Sequence, residues 1–495
     1  MSDHAPATTA NPSISGLRPE CLGFWEVLGQ SVANIAPSAT PALVIPLVFA
    51  TAGNGTWLAY LFGTIAIVFV AASLNQFTKR SASPGSLYAF IARGLGPGAG
   101  VVTGWALVLA YLLTGSAVLC GFANYADVLL KYGHISVPTP ILLIVGIAAA
   151  WFISYRDIKL SARLMLLLEG ISLTLITILA AIVLVENRFH FDWAQFRLTG
   201  VNASSIRIGL VLAFFSFVGF ESAAALGDEA RKPLKNIPRA LLISAATIGI
   251  FFVVLSYTEV LGFLHSTTPL NEAQAPLTDL AKTAGASYFG PLISFGALVS
   301  FWACTLACIN AGSRILFSMG RHNVFPIGVG SAHHTHETPH VAVTLVAVPL
   351  AVVPLVLVLA HPSGWAIGSG GLFAIYGWVG TIATYGFLFA YMLVAIAAPV
   401  YLRHTGELKA RHVALAAATV GILAIPVVGS VYPLPAAPYG YFPFIFVAWL
   451  VAGLAWYLYR RLSSNMVTDI SGDLDRVHAR FVDASDVKPA AEPAA

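Results

Sequence analysis

Apolar runs of about 20 residues recur along the chain, and they constrain its fold more than any other feature of the sequence. A helix of that length crosses a hydrocarbon core roughly 30 Å thick. Charged residues make up only 10% of the 495 residues, against about 25% in soluble domains. A water-soluble fold of this size would lack the charge to cover its surface. The sequence therefore predicts an all-α integral membrane protein.

Twelve of these runs are predicted to be membrane spans, numbered in chain order. They cover residues 24–50, 56–77, 98–130, 139–155, 161–185, 207–227, 239–263, 288–318, 341–360, 371–400, 412–430 and 441–459. We expect one membrane domain over residues 21–460. The tails, 1–20 and 461–495, are rich in Ala, Pro and Ser or in charged residues, and we expect them to be disordered.

The distribution of lysine and arginine predicts the orientation of the spans. With both chain ends in the cytoplasm, 21 of the 26 Lys and Arg residues fall on the cytoplasmic side as membrane anchors, in line with the positive-inside rule. Arg314 is one of these 21. The five on the other side are Lys131, Arg188, Arg197, Arg207 and Lys282. We therefore expect a multi-pass protein of the cell membrane with cytoplasmic termini. Basic residues scattered over separate loops predict no nucleic-acid partner.

Span 1 contains "NIAPSATPALVIPLVFA", residues 34–50, in which Pro37 and Pro41 lie four residues apart. A proline inside a helix costs about 3 kcal/mol, because it removes a backbone donor and clashes with the preceding turn. Lipid cannot satisfy the carbonyls that are freed in this way. We therefore expect span 1 to be unwound around residues 36–40, with the freed groups facing protein or substrate.

Span 6 has a second interruption at Gly219, and it carries Glu221 about halfway along, where an ionisable residue is expensive. Spans 1 and 6 are each the first of five, which fits an inverted repeat of five plus five helices with two extra helices at the end. Paired discontinuous helices point to the central site of a transporter. We expect the two breaks to lie side by side, with span 6 unwound around residues 217–221.

Three motifs give the chain a resemblance to a known family. They are "FSFVGFESAAALGDEARKPLKNIPRA" (215–240), "SASPGSLYAFIARGLGPGAGVVTGW" (81–105) and "NAGSRILFSMGRHNVFP" (310–326). With these three motifs, the chain resembles the amino acid–polyamine–organocation (APC) superfamily of permeases. The resemblance implies a LeuT-like fold and secondary transport of amino acids or related amines by alternating access. Many members have a Gly-rich triplet at the first break, where this chain has Pro37-Ser38-Ala39.

The two breaks also predict how a substrate would bind. Helix N-terminal amides suit a carboxylate, and the freed carbonyls suit an ammonium group, so a zwitterionic amino acid matches both. The expected substrate-binding residues are Ile35, Ala36, Pro37, Ser38, Ala39, Thr40, Phe215, Ser216, Phe217 and Gly219. The alternative interpretation of the breaks is a packing kink in a buried helix.

Aromatic residues near the breaks are candidates for gates and pocket walls. Phe215 and Phe217 are the first choices for a gate over the ligand, with Phe220 beside them. Tyr111 in span 3 and Trp302 in span 8 are weaker candidates for the pocket wall.

Five acidic residues lie in or near the predicted spans. Glu221 and Glu169 are candidates for proton coupling or for bracing the broken helices, whereas Glu26, Asp127 and Glu259 lie near span ends and are expected to reach water. Coupling to protons, or exchange, is favoured.

Other polar residues bear on coupling and packing. Some related permeases have a buried lysine on span 5 where this chain has Ser172, and Thr305 is the hydroxyl best placed for a sodium site on span 8. Cys304 and Cys308 are expected to be small packing residues on one helix face.

The loop "HHTHETPH", residues 333–340, contains the letters of a zinc-protease motif, His336-Glu337-x-x-His340. Pro339 disfavours helix at Thr338, so the two histidines cannot converge on a metal from one helical turn. We expect adventitious metal binding at most, and no enzyme activity, catalytic metal or cofactor. The expected partners are a small amino acid or amine, a possible coupling proton and the lipid bilayer. A membrane sensor that binds the ligand without transporting it is the alternative function.

Overall fold

The computed structural model describes residues 15–463, except 265, 274, 361–370, 433 and 436. The described residues form helices, turns and one isolated β-bridge, as the all-α prediction requires. Two of the predicted spans are divided: span 1 into Phe24–Ile35, Thr40–Val44 and Ile45–Ala52, and span 6 into Ala203–Phe215 and Phe220–Leu226. The other spans are Thr56–Thr78, Pro97–Tyr132, Thr139–Arg156, Ile158–Glu186, Pro233–Phe263, Gly290–Arg321, His340–Ala360, Gly371–His404, Ala410–Val431 and Phe442–Leu462.

Eleven helical stretches within these described ranges are long and apolar enough to cross a membrane. The first stretch, Phe24–Thr78, contains both span 1 and span 2, which a short turn at residues 53–55 separates. The structure therefore has the predicted twelve spans, and every predicted boundary lies within six residues of the observed one, the largest difference being at the start of span 7. Three shorter helices, Leu87–Leu95, Trp193–Phe196 and Pro276–Thr283, lie between spans.

Span 3 forms the centre of the helix bundle and packs against spans 8 and 10. Its most apolar window is 78% buried, whereas the corresponding window of span 12 is only 28% buried and leaves most of its surface for lipid. Glycines permit the close packing: a Cβ at Gly121 would lie 2.3 Å from the Phe301 ring of span 8. Spans 1 and 6 therefore break inside protein rather than against lipid.

The N-terminal segment is more ordered than its composition predicted. Leu17 is fully buried and packs with Leu316 and Phe317 of span 8. Arg18 lies 3.7 Å from the Asp157 carboxylate at the start of span 5. The expectation of disorder is therefore wrong for residues 15–20, because Leu17 has an apolar cluster to fill. The rest of the first tail and nearly all of the second, with residues 464–495, lie outside the described residues.

Candidate functional site

The break in span 1 begins where the prolines predicted it. The helix Phe24–Ile35 ends at Ala36, whose backbone is left-handed with φ of 50°. Pro37 follows and has no amide hydrogen to donate. A π-helical turn, Thr40–Val44, then resumes the span. Residues 36–39 therefore leave the regular helical ladder, and they are buried inside the protein.

The break in span 6 centres on Gly219. The helix ends at Phe215, Gly219 has φ of 89°, and the chain continues as the 3₁₀ segment Phe220–Leu226. A Cβ at Gly219 would lie 2.8 Å from Asn34 Nδ2, so a larger residue does not fit without movement. Glycine is required here both for the backbone angle and for the close approach of span 1.

Hydrogen bonds hold the two breaks together. Asn34 Nδ2 donates to the Gly219 carbonyl at 3.2 Å, and Ser31 Oγ donates to the Phe220 carbonyl at 2.5 Å. In the opposite direction, Ser222 Oγ of span 6 donates to the Gln30 carbonyl of span 1 at 3.2 Å. The predicted side-by-side breaks are confirmed. Ser31 and Asn34 precede Pro37 in span 1, and Ser222 follows Gly219 in span 6; we did not predict their roles from the sequence.

Glu221 is fully enclosed, and two tyrosines from other spans donate to its carboxylate. Tyr111 Oη of span 3 donates to Oε1 at 2.5 Å, and Tyr391 Oη of span 10 donates to Oε2. The same Tyr391 oxygen accepts from the Gly219 amide at 3.2 Å. The backbone amides of Gly219 and Glu221, freed by the break, also donate to this carboxylate. Tyr111, which was expected as a pocket wall, instead joins Tyr391 in tying spans 3, 6 and 10 together.

Ser38 faces span 5 across the first break. Its hydroxyl hydrogen-bonds that of Ser172 on span 5. One turn earlier, Glu169 accepts from Ser300 Oγ of span 8, which lies 3.0 Å from both carboxylate oxygens. Thr305 Oγ1 donates to a carbonyl of its own helix at 3.1 Å. Serine hydroxyls and one carboxyl group thus connect the first break with spans 5 and 8.

Cys304 and Cys308 do more than fill space. The Cys308 thiol lies 3.0 Å from Asn34 Oδ1, and the Cys304 thiol lies 3.5 Å from the Asn34 carbonyl. The expectation of simple packing residues is therefore incomplete, because both thiols contact the last turn of helix before the break. Asn34 is the shared partner of span 6 and span 8.

The candidate aromatic residues occupy different places. The Phe215 ring lies 5.5 Å from that of Tyr376 on span 10, and both line a small cavity of about 20 Å³. Phe217 is buried among rings of spans 2 and 7, and Phe220 lies 5.6 Å from Tyr391.

Trp302 donates to the Gly146 carbonyl of span 4 at 3.0 Å. This bond directs its indole nitrogen toward span 4 instead of the breaks. Phe215 is therefore the better placed of the gate candidates.

The C-terminal ends of spans 6 and 8 contain a buried ion pair that we did not predict from the sequence. Arg314 donates to both carboxylate oxygens of Glu229 at 2.7 Å. The exposed fractions of these side chains are 2% and 0%. The expectation that Arg314 is a membrane anchor on a loop is therefore wrong. Leu22 exchanges backbone hydrogen bonds with residues 229 and 231, so the start of the chain packs against the same loop.

The three acids at span ends have different environments. Glu26 accepts from the Gly23 amide at 3.0 Å and lies 3.6 Å from Arg163, while Asp127 pairs with Lys131 at 2.6 Å. Glu259 is 2% exposed, so the expectation that it reaches water is wrong.

The histidine-rich loop forms a turn before span 9 begins at His340. His336 thus precedes the helix, as the proline predicted. Desolvation, followed by the neighbouring His336 and His340, lowers the pKa of His333. Within the described ranges, no group of three or more His, Cys, Asp or Glu side chains is placed to hold a metal ion.

Comparison with known proteins gives consistent matches. The amino acid permease family profile matches residues 28–436. The methylthioribose transporter of Bacillus subtilis is 24% identical over 94% of this chain and 96% of its own length. The branched-chain amino acid permease BcaP of the same organism is 25% identical, over 59% of this chain and 65% of the relative. The low-affinity putrescine importer PlaP of Escherichia coli is 26% identical, over 61% of this chain and 68% of the relative.

Proposed function

Because the chain belongs to the amino acid permease family, we propose that it is a secondary active transporter of amino acids or related amines in the cell membrane. Two broken helices that face each other within the bundle carry this proposal. The three relatives are named for different substrates: a branched-chain amino acid, methylthioribose and putrescine. Their likeness supports transport in general, and the recognition chemistry must come from this chain's own site.

The substrate is proposed to bind between the two breaks. Its carboxylate would face the amides and hydroxyls of the Ser38–Thr40 segment, where a helix begins and its dipole is positive. Its ammonium would face carbonyls of Ile35 and Ala36 and of the Phe215–Phe217 segment. Gly219 lets the second break approach the first closely enough for both groups to act on one substrate.

Alternating access requires that each side of this site can close. Phe215 and Tyr376 would form the outer gate, since their rings already touch across spans 6 and 10. The Arg314–Glu229 pair would close the inner side, together with the chain around Leu22. This assignment places both termini in the cytoplasm, with a single transport domain over residues 21–460 and short tails on either side.

Two buried carboxyl groups near the breaks, Glu221 and Glu169, are candidates for proton coupling, and their partners differ. Glu221 has one phenol donor on each oxygen, so its hydrogen-bonding capacity serves the structure. The two oxygens of Glu169 share a single hydroxyl donor from the described residues, that of Ser300. A buried carboxyl group with so little support is costly as an anion and takes up a proton readily. We therefore assign coupling to Glu169 and bracing to Glu221, with proton-driven uptake or exchange as the transport mode.

Reconstitution into proteoliposomes tests the proposal. A panel of amino acids and amines is first screened by ligand-induced thermal shift, and each hit is then assayed for uptake with and without an inward proton gradient. We expect time-dependent accumulation of at least one ligand. A protein that binds its ligand but never accumulates it would be a sensor, and the transport proposal would be wrong.

Substitutions at Ser38 test where the substrate binds. Ser38→Leu should abolish uptake, because Ser38 is fully buried against Ser172 and the larger side chain has to displace the backbone of the first break. The melting temperature of the variant checks that the protein still folds. Ser38→Ala is the matched control, since it removes the hydroxyl without adding bulk, and it should keep measurable uptake. Normal transport by the leucine variant would place the substrate elsewhere.

A further inference from the structure

A small cavity lies beside the two breaks. Its volume is about 20 Å³, and both broken helices contribute to its wall. Val44 ends the π-helical turn that follows the first break, and Phe215 is the last helical residue before the second. Both residues lie within about one helical turn of the backbone segments that are proposed to bind the substrate's carboxylate and ammonium. This position makes the cavity available to the substrate's side chain.

The part of the wall that comes from spans 1 and 6 is apolar. It consists of Val44, Leu47, Val211, Leu212 and Phe215. Among the described residues that line the cavity, none has an acidic or basic side chain. An apolar side chain of the substrate would therefore leave water here at a gain in free energy.

The polar groups of the wall come mainly from span 10, and they are neutral. Thr381 Oγ1 donates to the Gly377 carbonyl at 2.7 Å, and Thr384 Oγ1 donates to the Gly380 carbonyl at 2.9 Å. The hydrogens of both hydroxyls are thus used within span 10. The remaining polar groups are tyrosine hydroxyls. The attraction of an ammonium group to aromatic rings is much weaker than the cost of removing that group from water, so a charged side chain is disfavoured here.

The buried acids of the bundle do not supply a counter-ion to this cavity. Glu169, Glu221 and Glu259 are buried, and none of the three lines the cavity. The carboxylate of Glu221 is also occupied, because Tyr111 and Tyr391 each donate to one of its oxygens. A second ammonium group on the substrate would therefore be buried without a partner.

Two glycines of span 10 set the size of the cavity. A Cβ at Gly380 would lie 2.6 Å from the Phe215 ring, and one at Gly377 would lie 2.9 Å from the Tyr439 hydroxyl. The Phe215 ring thus packs in a notch that only a glycine leaves open. A volume of about 20 Å³ has room for little more than one water-sized group. A longer substrate side chain therefore requires the Phe215 ring to move.

We propose that this cavity binds the side chain of the substrate, and that the substrates are amino acids with uncharged, apolar side chains. Basic amino acids and aliphatic diamines are excluded because the cavity offers them no negative charge. Phe215 and Gly380 determine which side-chain sizes fit. This inference rests on the proposed transport function and narrows it to one class of substrate.

Norleucine and ornithine provide the test, because their side chains have the same length and end in a methyl or an ammonium group. Affinities are measured by ligand-induced thermal shift and by competition for uptake in proteoliposomes. The wild-type protein should bind norleucine more tightly than ornithine by about 10-fold or more, because only ornithine buries an unpaired charge. Thr381→Asp places a carboxylate in the wall and should shift this preference toward ornithine by about 10-fold or more. Thr381→Asn is the matched control, since it differs from the aspartate variant only in charge, and it should keep norleucine as the preferred ligand.

Gly380→Ala tests the size of the cavity independently of charge. The added carbon should displace the Phe215 ring and reduce the room beside it, so that norleucine binding weakens relative to alanine binding by about 10-fold. Gly421→Ala is the control, because Gly421 lies within span 11 and a Cβ there has open space around it. It should leave the ratio of the two affinities unchanged.

Three outcomes would contradict these proposals. A wild-type preference for ornithine or putrescine would overturn the inference and leave the transport proposal standing. An unchanged preference in a folded Thr381→Asp variant would show that the side chain binds elsewhere. A protein that transports no member of the amino acid and amine panel would instead contradict the proposed function itself. Folding is checked by the melting temperature without ligand, and if Thr381→Asp fails to fold, the wild-type preference and Gly380→Ala decide the question.

Discussion

The environment of each buried carboxyl group decides what that group can do. Glu221 accepts one phenol on each oxygen, and one of these phenols also accepts from the Gly219 amide. Hydrogen bonds to a charged group contribute about 1.5–3 kcal/mol each, so this arrangement resists any change at Glu221. Glu169 shares one hydroxyl between two oxygens and can change its protonation at lower cost.

Substituting the two acids separates these roles. Glu221→Gln keeps the shape but turns one acceptor into a donor that faces a tyrosine hydroxyl, so we expect a lower melting temperature. Accumulation driven by a proton gradient should persist in this variant, because the proton is assigned to Glu169. Glu169→Gln should show the opposite, with near-normal stability and exchange but no gradient-driven accumulation. Loss of gradient-driven uptake in Glu221→Gln at unchanged stability would contradict the assignment.

Individual residues could be predicted from the sequence only where the cause is local. The Gly-Phe-Glu motif placed Glu221 at the break. Its donors Tyr111 and Tyr391 are 110 and 170 residues away along the chain. No local pattern indicates such contacts, because they depend on how spans 3 and 10 pack. The burial of Glu259 was missed for the same reason.

At the scale of elements, the two breaks were predictable because proline and glycine act on their own backbone. Pro37 removes a donor from span 1, and Gly219 supplies a left-handed residue to span 6. The order of residues 15–20 was not predictable, since it depends on an apolar cluster formed by spans 8 and 9. Composition alone therefore overestimated the length of the first tail.

Gly219→Ala tests the geometry of the second break. The left-handed backbone costs a residue with a Cβ about 1–2 kcal/mol. The added carbon would also meet Asn34 Nδ2 at 2.8 Å and disturb its bond to the Gly219 carbonyl. We expect a lower melting temperature and weaker substrate binding, measured by thermal unfolding and by ligand-induced shift.

Gly170→Ala is the control for this prediction. Gly170 lies inside the helix of span 5, and a Cβ there has open space around it. Alanine is the better helix former by about 0.5–1 kcal/mol, so this variant should be neutral or more stable. Equal destabilisation by both substitutions would show that the break at Gly219 has no special requirement.

At the scale of the whole molecule, the structure is closed on the side where the N-terminal segment packs. Three distant parts of the chain meet there: residues 20–23, residues 229–231, and Arg314 of span 8. Cys21 is buried in this closure and is 8% exposed. Burial, followed by the negative charge of Glu229, raises the pKa of the Cys21 thiol to about 12. Alternating access would require these parts to separate, and Cys21 would then become accessible.

Cys21 is therefore a natural reporter of the closure. Maleimides react with the thiolate, so the closed protein should react slowly at neutral pH, with a rate that keeps rising as the pH increases toward 12. Arg314→Lys replaces two bonds to Glu229 with a single point charge and should loosen the closure. The pKa of Cys21 would then fall toward its ordinary value. Its labelling at neutral pH should become at least several-fold faster, as measured for this residue by mass spectrometry of peptides.

Arg239→Lys is the control, because Arg239 is exposed at the start of span 7 and the substitution keeps its charge. Its labelling rate should equal that of the wild type. Added substrate should change the labelling of the wild type if the protein alternates between states, because binding shifts the population that is open on this side. A Cys21 rate that neither substrate nor Arg314→Lys changes would mean that this closure is static, and the inner gate would have to lie elsewhere.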